Sequence, residues 1–83
     1  MISQSKSGIL SNGTTVRVNF DLDMYSNIYG SYGNIKIIPW SGNPKPKLNE
    51  TWDVQVLTSW ENENNRSTKF IYSAMVKPLK KVT

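Results

Sequence analysis

The stretch TVRVNFDL at residues 15–22 alternates strictly between polar and apolar side chains. Its apolar members are Val16, Val18, Phe20 and Leu22. Successive side chains of a β-strand point to opposite faces, so a period of two predicts a strand with one buried face. The turn-forming triplet Ser11-Asn12-Gly13 precedes the stretch and indicates where this strand begins.

The next two segments carry glycine and proline signals. Residues 23–33 interleave tyrosines with small polar residues and contain Gly30 and Gly33. We expect a loop or a short, bent strand here, because glycine suits a bulge or a close backbone approach. Residues 34–40, NIKIIPW, are rich in isoleucine and predict a strand. Pro39 indicates the end of that strand, since proline cannot donate a hydrogen bond to the ladder.

A basic loop and a further strand follow. Residues 41–50 predict a stiff loop in which Lys45 and Lys47 alternate with prolines. Residues 51–60 alternate again between apolar and polar side chains and predict a strand. Leu57 interrupts the otherwise polar face of that strand.

The last strand is predicted at residues 68–76, after a polar hairpin loop at residues 61–67. Lys77-Pro78 should end it, because proline breaks the ladder. Aromatic side chains on the apolar faces of these last two strands should fill the interior. They are Trp52, Trp60, Phe70 and Tyr72.

No window of the sequence shows the apolar spacing i, i+3, i+4, i+7 of a helix, so we expect an all-β protein with little or no helix. Four or five short strands would leave open edges unless the sheet closes on itself. We therefore expect residues 1–83 to form one small, strongly bent antiparallel β-barrel of the OB or SH3-like type. Residues 1–10 are expected to be a flexible N-terminus, and residues 77–83 a basic, solvated C-terminal tail.

The composition excludes most catalytic chemistry. The chain has 83 residues, a formal net charge of +4, and neither Cys nor His. It therefore lacks thiolate ligands as well as the commonest general base and metal ligand. Asp21 and Asp23 lie on the same side of a strand, but turn formation explains both more simply. We expect no enzymatic activity, no metal and no cofactor.

Five short motifs occur in an order that carries a family resemblance. They are Val16-Arg17-Val18-Asn19-Phe20, Asn27-Ile28-Tyr29, Gly33 with Ile35-Lys36-Ile37-Ile38-Pro39, Trp52-Asp53-Val54-Gln55-Val56, and Lys69-Phe70-Ile71-Tyr72-Ser73-Ala74. Over residues 13–76 the chain resembles the TRAM domain, a small OB-like β-barrel that accompanies some RNA-modifying enzymes. It departs from that family at Asn49-Glu50, where Gly-Asp or Gly-Glu is usual, and at Trp40, where a glycine often follows the proline. The resemblance implies a β-barrel that binds RNA.

Nucleic-acid binding requires cations that neutralise phosphates and flat side chains that stack on bases, and the sequence offers both. The residues expected to bind are Arg17, Tyr25, Tyr29, Tyr32, Lys36, Trp40, Lys45, Lys47 and Lys69. For the three tyrosines a purely structural role is an equal alternative. We expect this basic, aromatic face to bind RNA or single-stranded DNA with little base specificity.

Tyrosine and tryptophan are also enriched at protein interfaces, so the same residues suit a protein partner. The alternative function is a protein–protein interaction or assembly module of a virus, a phage or an archaeon. The first residues, MISQSKSG, contain no apolar stretch long enough for a signal peptide or a membrane span. We expect a cytoplasmic protein without a membrane partner, either monomeric or weakly dimeric through a strand edge at residues 34–40.

Overall fold

Five β-strands make up the described part of the chain. The computed structural model describes residues 10–62 and 70–83, so most of the expected flexible N-terminus lies outside the described residues. The strands are β1 (Thr15–Leu22), β2 (Ile28–Tyr32), β3 (Ile35–Pro39), β4 (Thr51–Glu61) and β5 (Tyr72–Lys81). No helix occurs among the described residues, and the expected all-β class is confirmed.

The strands close into a small barrel in the order β1-β2-β3-β5-β4, with β4 paired to β1. The predicted barrel is thus confirmed, but it is mixed, because β3 and β5 run parallel while the other pairs are antiparallel. Five strands in a closed ring cannot alternate in direction all the way round, so one neighbouring pair must be parallel. β3 is paired on both sides, so the edge expected at residues 34–40 is occupied within the barrel.

The alternation seen in β1 continues round the barrel and builds a single core. The β1 side chains of Val16, Val18 and Phe20 are buried, as their spacing predicted. The other strands contribute Ile35, Ile37, Trp52, Val54, Val56, Tyr72, Ala74 and Val76. Leu10 and Ile28 pack against this cluster from its margin. The barrel is therefore stabilised mainly by apolar side chains that point inward from strands.

A β-bulge in β4 makes the expected inward orientation of Trp60 wrong. The register with β5 shifts between Val56 and Thr58, and Leu57 is the extra residue without a partner. One extra residue reverses the alternation of side chains, so Trp60 turns outward and is 39% exposed. Trp52, which precedes the bulge, stays buried in the core.

β5 continues past Lys77-Pro78, where the sequence predicted its end. Residues 77–81 therefore belong to a strand and not to a tail, although all of them except Pro78 are exposed to solvent as expected. Pro78 is fully buried opposite Val54, next to a second register shift in the ladder. Its missing N–H falls at this irregular point, and burial of its ring favours extension of the strand.

Glu50 ties the β3–β4 loop to the barrel. Its carboxylate accepts hydrogen bonds from the backbone N–H of Lys47 (2.9 Å) and from Nε1 of Trp52 (3.0 Å). Nζ of Lys81 lies 3.2 Å from the same carboxylate. The bond from Trp52, followed by the bond from Lys47, lowers the pKa of Glu50. One ionised group thus holds the loop, the start of β4 and the end of β5 together.

Gly30 should tolerate a side chain poorly while Val18 is intact. Gly30 is buried in β2 between Phe20 and Ile37, and a Cβ added to it would overlap Cγ1 of Val18. We expect Gly30→Ala to lower the free energy of unfolding by about 1–3 kcal/mol through overpacking, measured by urea denaturation.

The exposed neighbour Ser31 is the control, and Ser31→Ala should change the stability little. Val18→Ala removes the overlapping methyl group, so adding Gly30→Ala to it should cost less than adding Gly30→Ala to the natural chain. If the two substitutions lowered the free energy of unfolding by strictly additive amounts, the close approach of β1 and β2 at these residues would be contradicted.

Acid should destabilise the barrel partly through Glu50. A carboxyl group whose pKa is lowered by folding stabilises the fold above its ordinary pKa, here 4.5, and the contribution is lost as the pH falls through the folded value. We expect the free energy of unfolding to decrease below pH 4.5, measured by denaturant titration at a series of pH values. Glu50→Gln should be less stable at neutral pH and should show a flatter acid dependence. An unchanged pH profile in that variant would refute this role of Glu50.

Candidate functional site

A cleft of about 550 Å³ opens on the barrel beside β2 and β3. The β1–β2 turn, the outer sides of β2 and β3, and the start of the β3–β4 loop line it. Its polar and aromatic lining includes Asp23, Asn27, Tyr29, Lys36, Trp40 and Lys45. Apolar groups such as Ile38 and Pro46 complete the walls. The cleft has the size and mixed lining of small-ligand sites in proteins.

Asp23 organises the turn at one end of the cleft. Its Oδ1 accepts hydrogen bonds from the backbone N–H groups of Tyr25 (2.8 Å) and Asn27 (2.9 Å). The bond from Asn27 is the main cause that lowers the pKa of Asp23, and the nearby cation of Lys36 lowers it further. Nζ of Lys36 lies 3.8 Å from Oδ2 of Asp23. Asp23 is therefore ionised at neutral pH and offsets part of the charge of Lys36.

Tyr29 projects from β2 and is held in place on two sides. Nζ of Lys36 lies 5.4 Å from the centroid of its ring, within the range of a cation–π contact. The ring of Phe70 meets it edge to face, with centroids 5.9 Å apart and planes at 79°. Tyr29 is half-buried, so its ring combines a packed position with access to the cleft.

Trp40 forms a second aromatic wall of the cleft. Its backbone N–H donates to the carbonyl of Val76 (2.9 Å), and Nζ of Lys77 lies 5.2 Å from the centroid of its indole. Gly42 packs against the indole so closely that an added Cβ would lie 2.8 Å from Cζ2 of the ring. The indole Nε1 is buried and has no hydrogen-bond partner among residues 10–62 and 70–83. A buried, unpaired donor of this kind costs about 1–3 kcal/mol.

The lysines of the chain differ in whether a carboxylate neutralises them. Lys45, Lys47, Lys77 and Lys80 form no salt bridge with any residue in the described ranges. Lys45 lines the cleft, and Lys77 lies over the indole of Trp40. These two cations are therefore available to an anionic ligand at the cleft.

The structure brings four of the nine residues expected to bind nucleic acid to this cleft. They are Tyr29, Lys36, Trp40 and Lys45. Tyr25, Tyr32 and Lys47 are exposed but do not line it. Lys69 lies outside the described residues.

Arg17 is the predicted residue that the structure separates most clearly from the cleft. It projects from β1 opposite Asp53 on β4, with Nε 2.9 Å from Oδ1 and Nη2 3.4 Å from Oδ2. This hydrogen-bonded pair raises the pKa of Arg17 and lowers that of Asp53. Arg17 thus forms an ion pair between strands and does not line the cleft, and its part in binding stays a prediction.

Sequence reasoning missed Asp23, Asn27 and Lys77 as members of this site. The sequence pattern assigns Lys77 to a C-terminal tail. In the structure Lys77 lies beside Trp40, because β5 pairs in parallel with β3. The interpretation of Asp23 as a turn residue is correct, but its proximity to Lys36 depends on the β2–β3 pairing. No local signal in the sequence indicates either proximity.

Within residues 10–62 and 70–83, no group of three carboxylates is arranged to hold a metal ion. In those same ranges no helix is long and apolar enough to cross a bilayer.

Comparisons of the chain with protein-family models, with curated proteins and with solved structures found no match. The resemblance to the TRAM domain therefore stays a prediction. Function has to be inferred from the geometry and the charge of the cleft.

The two tryptophans Trp40 and Trp52 should respond differently to loss of the indole N–H. Trp40→Phe removes an unpaired donor, so it should change the free energy of unfolding little or raise it. Trp52→Phe removes a similar volume but also the hydrogen bond to Glu50, so it should be clearly more destabilising. Urea denaturation of both variants makes the comparison, and equal losses would contradict the assignment of the unpaired N–H.

Proposed function

We propose that the barrel binds RNA or single-stranded DNA in the cleft, without base specificity and without catalysis. One observation carries this proposal. Two aromatic rings, Tyr29 and Trp40, lie in the lining of one cleft, and each has a lysine ammonium over its ring. Lys45 adds a third cation to the same lining.

This combination suits a single nucleic-acid strand for two physical reasons. A base stacked on an aromatic side chain gains about 1–3 kcal/mol, whichever base it is, because every base has a flat π-face. Cations that neutralise phosphates release bound counterions, which adds affinity independent of sequence. The carboxylate of Asp23 offsets part of the charge of Lys36, so Lys45 and Lys77 should supply most of the phosphate contacts.

The architecture supports the same proposal. Five-stranded barrels of the OB type bind oligonucleotides on the face of their second and third strands and with the loop between the first two strands. Here the cleft lies on β2 and β3, and the β1–β2 turn contributes Asp23 and Asn27 to it. The TRAM-like order of motifs is a further argument for RNA.

Removal of the two unpaired lysines at the cleft should reduce both affinity and salt dependence. We expect wild-type protein to bind fluorescein-labelled single-stranded RNA or DNA in an anisotropy titration, with affinity that falls steeply as salt is added. Lys45→Ala with Lys77→Ala should bind more weakly at low salt. The slope of log K against log salt should decrease by about 0.7 for each phosphate that a lysine no longer neutralises.

Lys80→Ala is the matched control, because Lys80 is exposed and basic but pairs along the ladder with Asp53, away from the cleft. It should leave the salt slope unchanged. An equal decrease in Lys80→Ala and in the double variant would mean that diffuse charge, and not the cleft, binds the strand. Absence of wild-type binding at low salt would refute the proposed function.

A protein partner is a second candidate, favoured by the turn at the tip of the β1–β2 hairpin. Asp23 holds this turn by hydrogen bonds, yet it presents Met24 and Tyr25 to solvent, 85% and 77% exposed. A rigid turn that displays large side chains is preorganised for a protein interface. Such an interface would weaken far less with added salt than phosphate binding does.

A further inference from the structure

A second aromatic position lies on the outside of the barrel, across the sheet from the cleft. The bulge at Leu57 turns Trp60 outward, and Trp60 pairs with Ser73 on β5. Met75, two residues further along β5, pairs with Thr58 and is 36% exposed. Trp60 and Met75 therefore form an exposed apolar pair that the core does not use.

The pairing of the strands connects this apolar pair to the cleft. Ile38, which lines the cleft from β3, is the register partner of Met75. Met75 in turn lies opposite Thr58 on β4, next to the Trp60 position. Paired strands thus connect the cleft to Trp60. The outer surface passes from the cleft over Ile38 on β3 and Met75 on β5 to Trp60 on β4.

Positive charge flanks this surface on both sides. Lys36 lies two residues before Ile38 on β3, and Lys77 lies two residues after Met75 on β5, so each shares the outer face of its strand. Neither β3 nor β5 contains an acidic residue. An apolar path between two cations, without carboxylates on its central strands, is complementary to a polyanion that also carries flat bases.

We propose that a nucleic-acid strand bound in the cleft continues over Ile38 and Met75 and stacks a second base on Trp60. This inference rests on the proposed function, because it extends the same bound strand. From β2 to β4 the path crosses three strand spacings, about 14 Å in all. That distance exceeds the reach of one nucleotide, so only an oligonucleotide of several nucleotides can occupy both positions.

The length of the oligonucleotide tests the path. We expect Trp60→Ala to bind a labelled dinucleotide as the wild type does, because a dinucleotide in the cleft is too short to reach Trp60. For a strand of about eight nucleotides it should lose about tenfold in affinity, the equivalent of one stacked base. Trp60→Phe keeps a flat ring and should recover most of that loss.

A second pair of variants makes the test independent of any effect of Trp60 on folding. Met75→Glu introduces a negative charge on the path and should weaken binding of the longer strand. Leu79→Glu is the matched control, with the same change of net charge at a residue 47% exposed in the part of β5 beyond Pro78. It should weaken binding less than Met75→Glu does.

The outcomes separate this inference from the proposed function. If the wild type binds both oligonucleotides and the Trp60 and Met75 variants bind the longer one as tightly as their controls, the path is wrong while binding in the cleft stands. If the wild type binds neither oligonucleotide at low salt, both fail, and a protein partner becomes the better interpretation of the exposed Trp60 and Met75.

Discussion

Closure of an odd number of strands is the constraint on which the rest of this structure depends. Five strands cannot alternate in direction round a ring, so β5 inserts between β4 and β3 and runs parallel to β3. Closure leaves each strand paired on both sides, in a chain of 83 residues without a cysteine. The narrow ring also brings β2 against β1, where Gly30 leaves room for Val18.

The parallel pair of β3 and β5 creates the surface that we propose as the binding site. It places Ile38 beside Met75 and brings Lys77 over Trp40, although these partners lie more than thirty positions apart in the chain. At this point the indole N–H of Trp40 has no partner in the described part of the chain, which is a local cost to stability. Local costs of this kind are often found at functional sites, which supports the binding role that we propose for the cleft.

Net charge alone does not describe how the barrel would meet a polyanion. Two ion pairs join elements of the barrel: Arg17 of β1 pairs with Asp53 of β4, and Lys81 at the end of β5 pairs with Glu50 of the β3–β4 loop. By contrast, Lys45 in the cleft and Lys77 beside Trp40 have no salt-bridge partner among the described residues. Among the described residues, the charges thus divide into ion pairs that join structural elements and cations at the cleft without a salt-bridge partner.

The sequence by itself determined the all-β class, the bounds of β1 and the burial of Val18, Phe20, Trp52 and Tyr72, because alternation is a local property of a strand. It also indicated four residues that line the cleft. Tertiary structure decided the outward turn of Trp60, the inclusion of Lys77 in β5 and the pairing of Arg17. Each of these depends on how a strand pairs with another strand that is distant in the chain. An extra residue in one strand reverses the face to which the following side chains point, and a carboxylate on the neighbouring strand neutralises a cation.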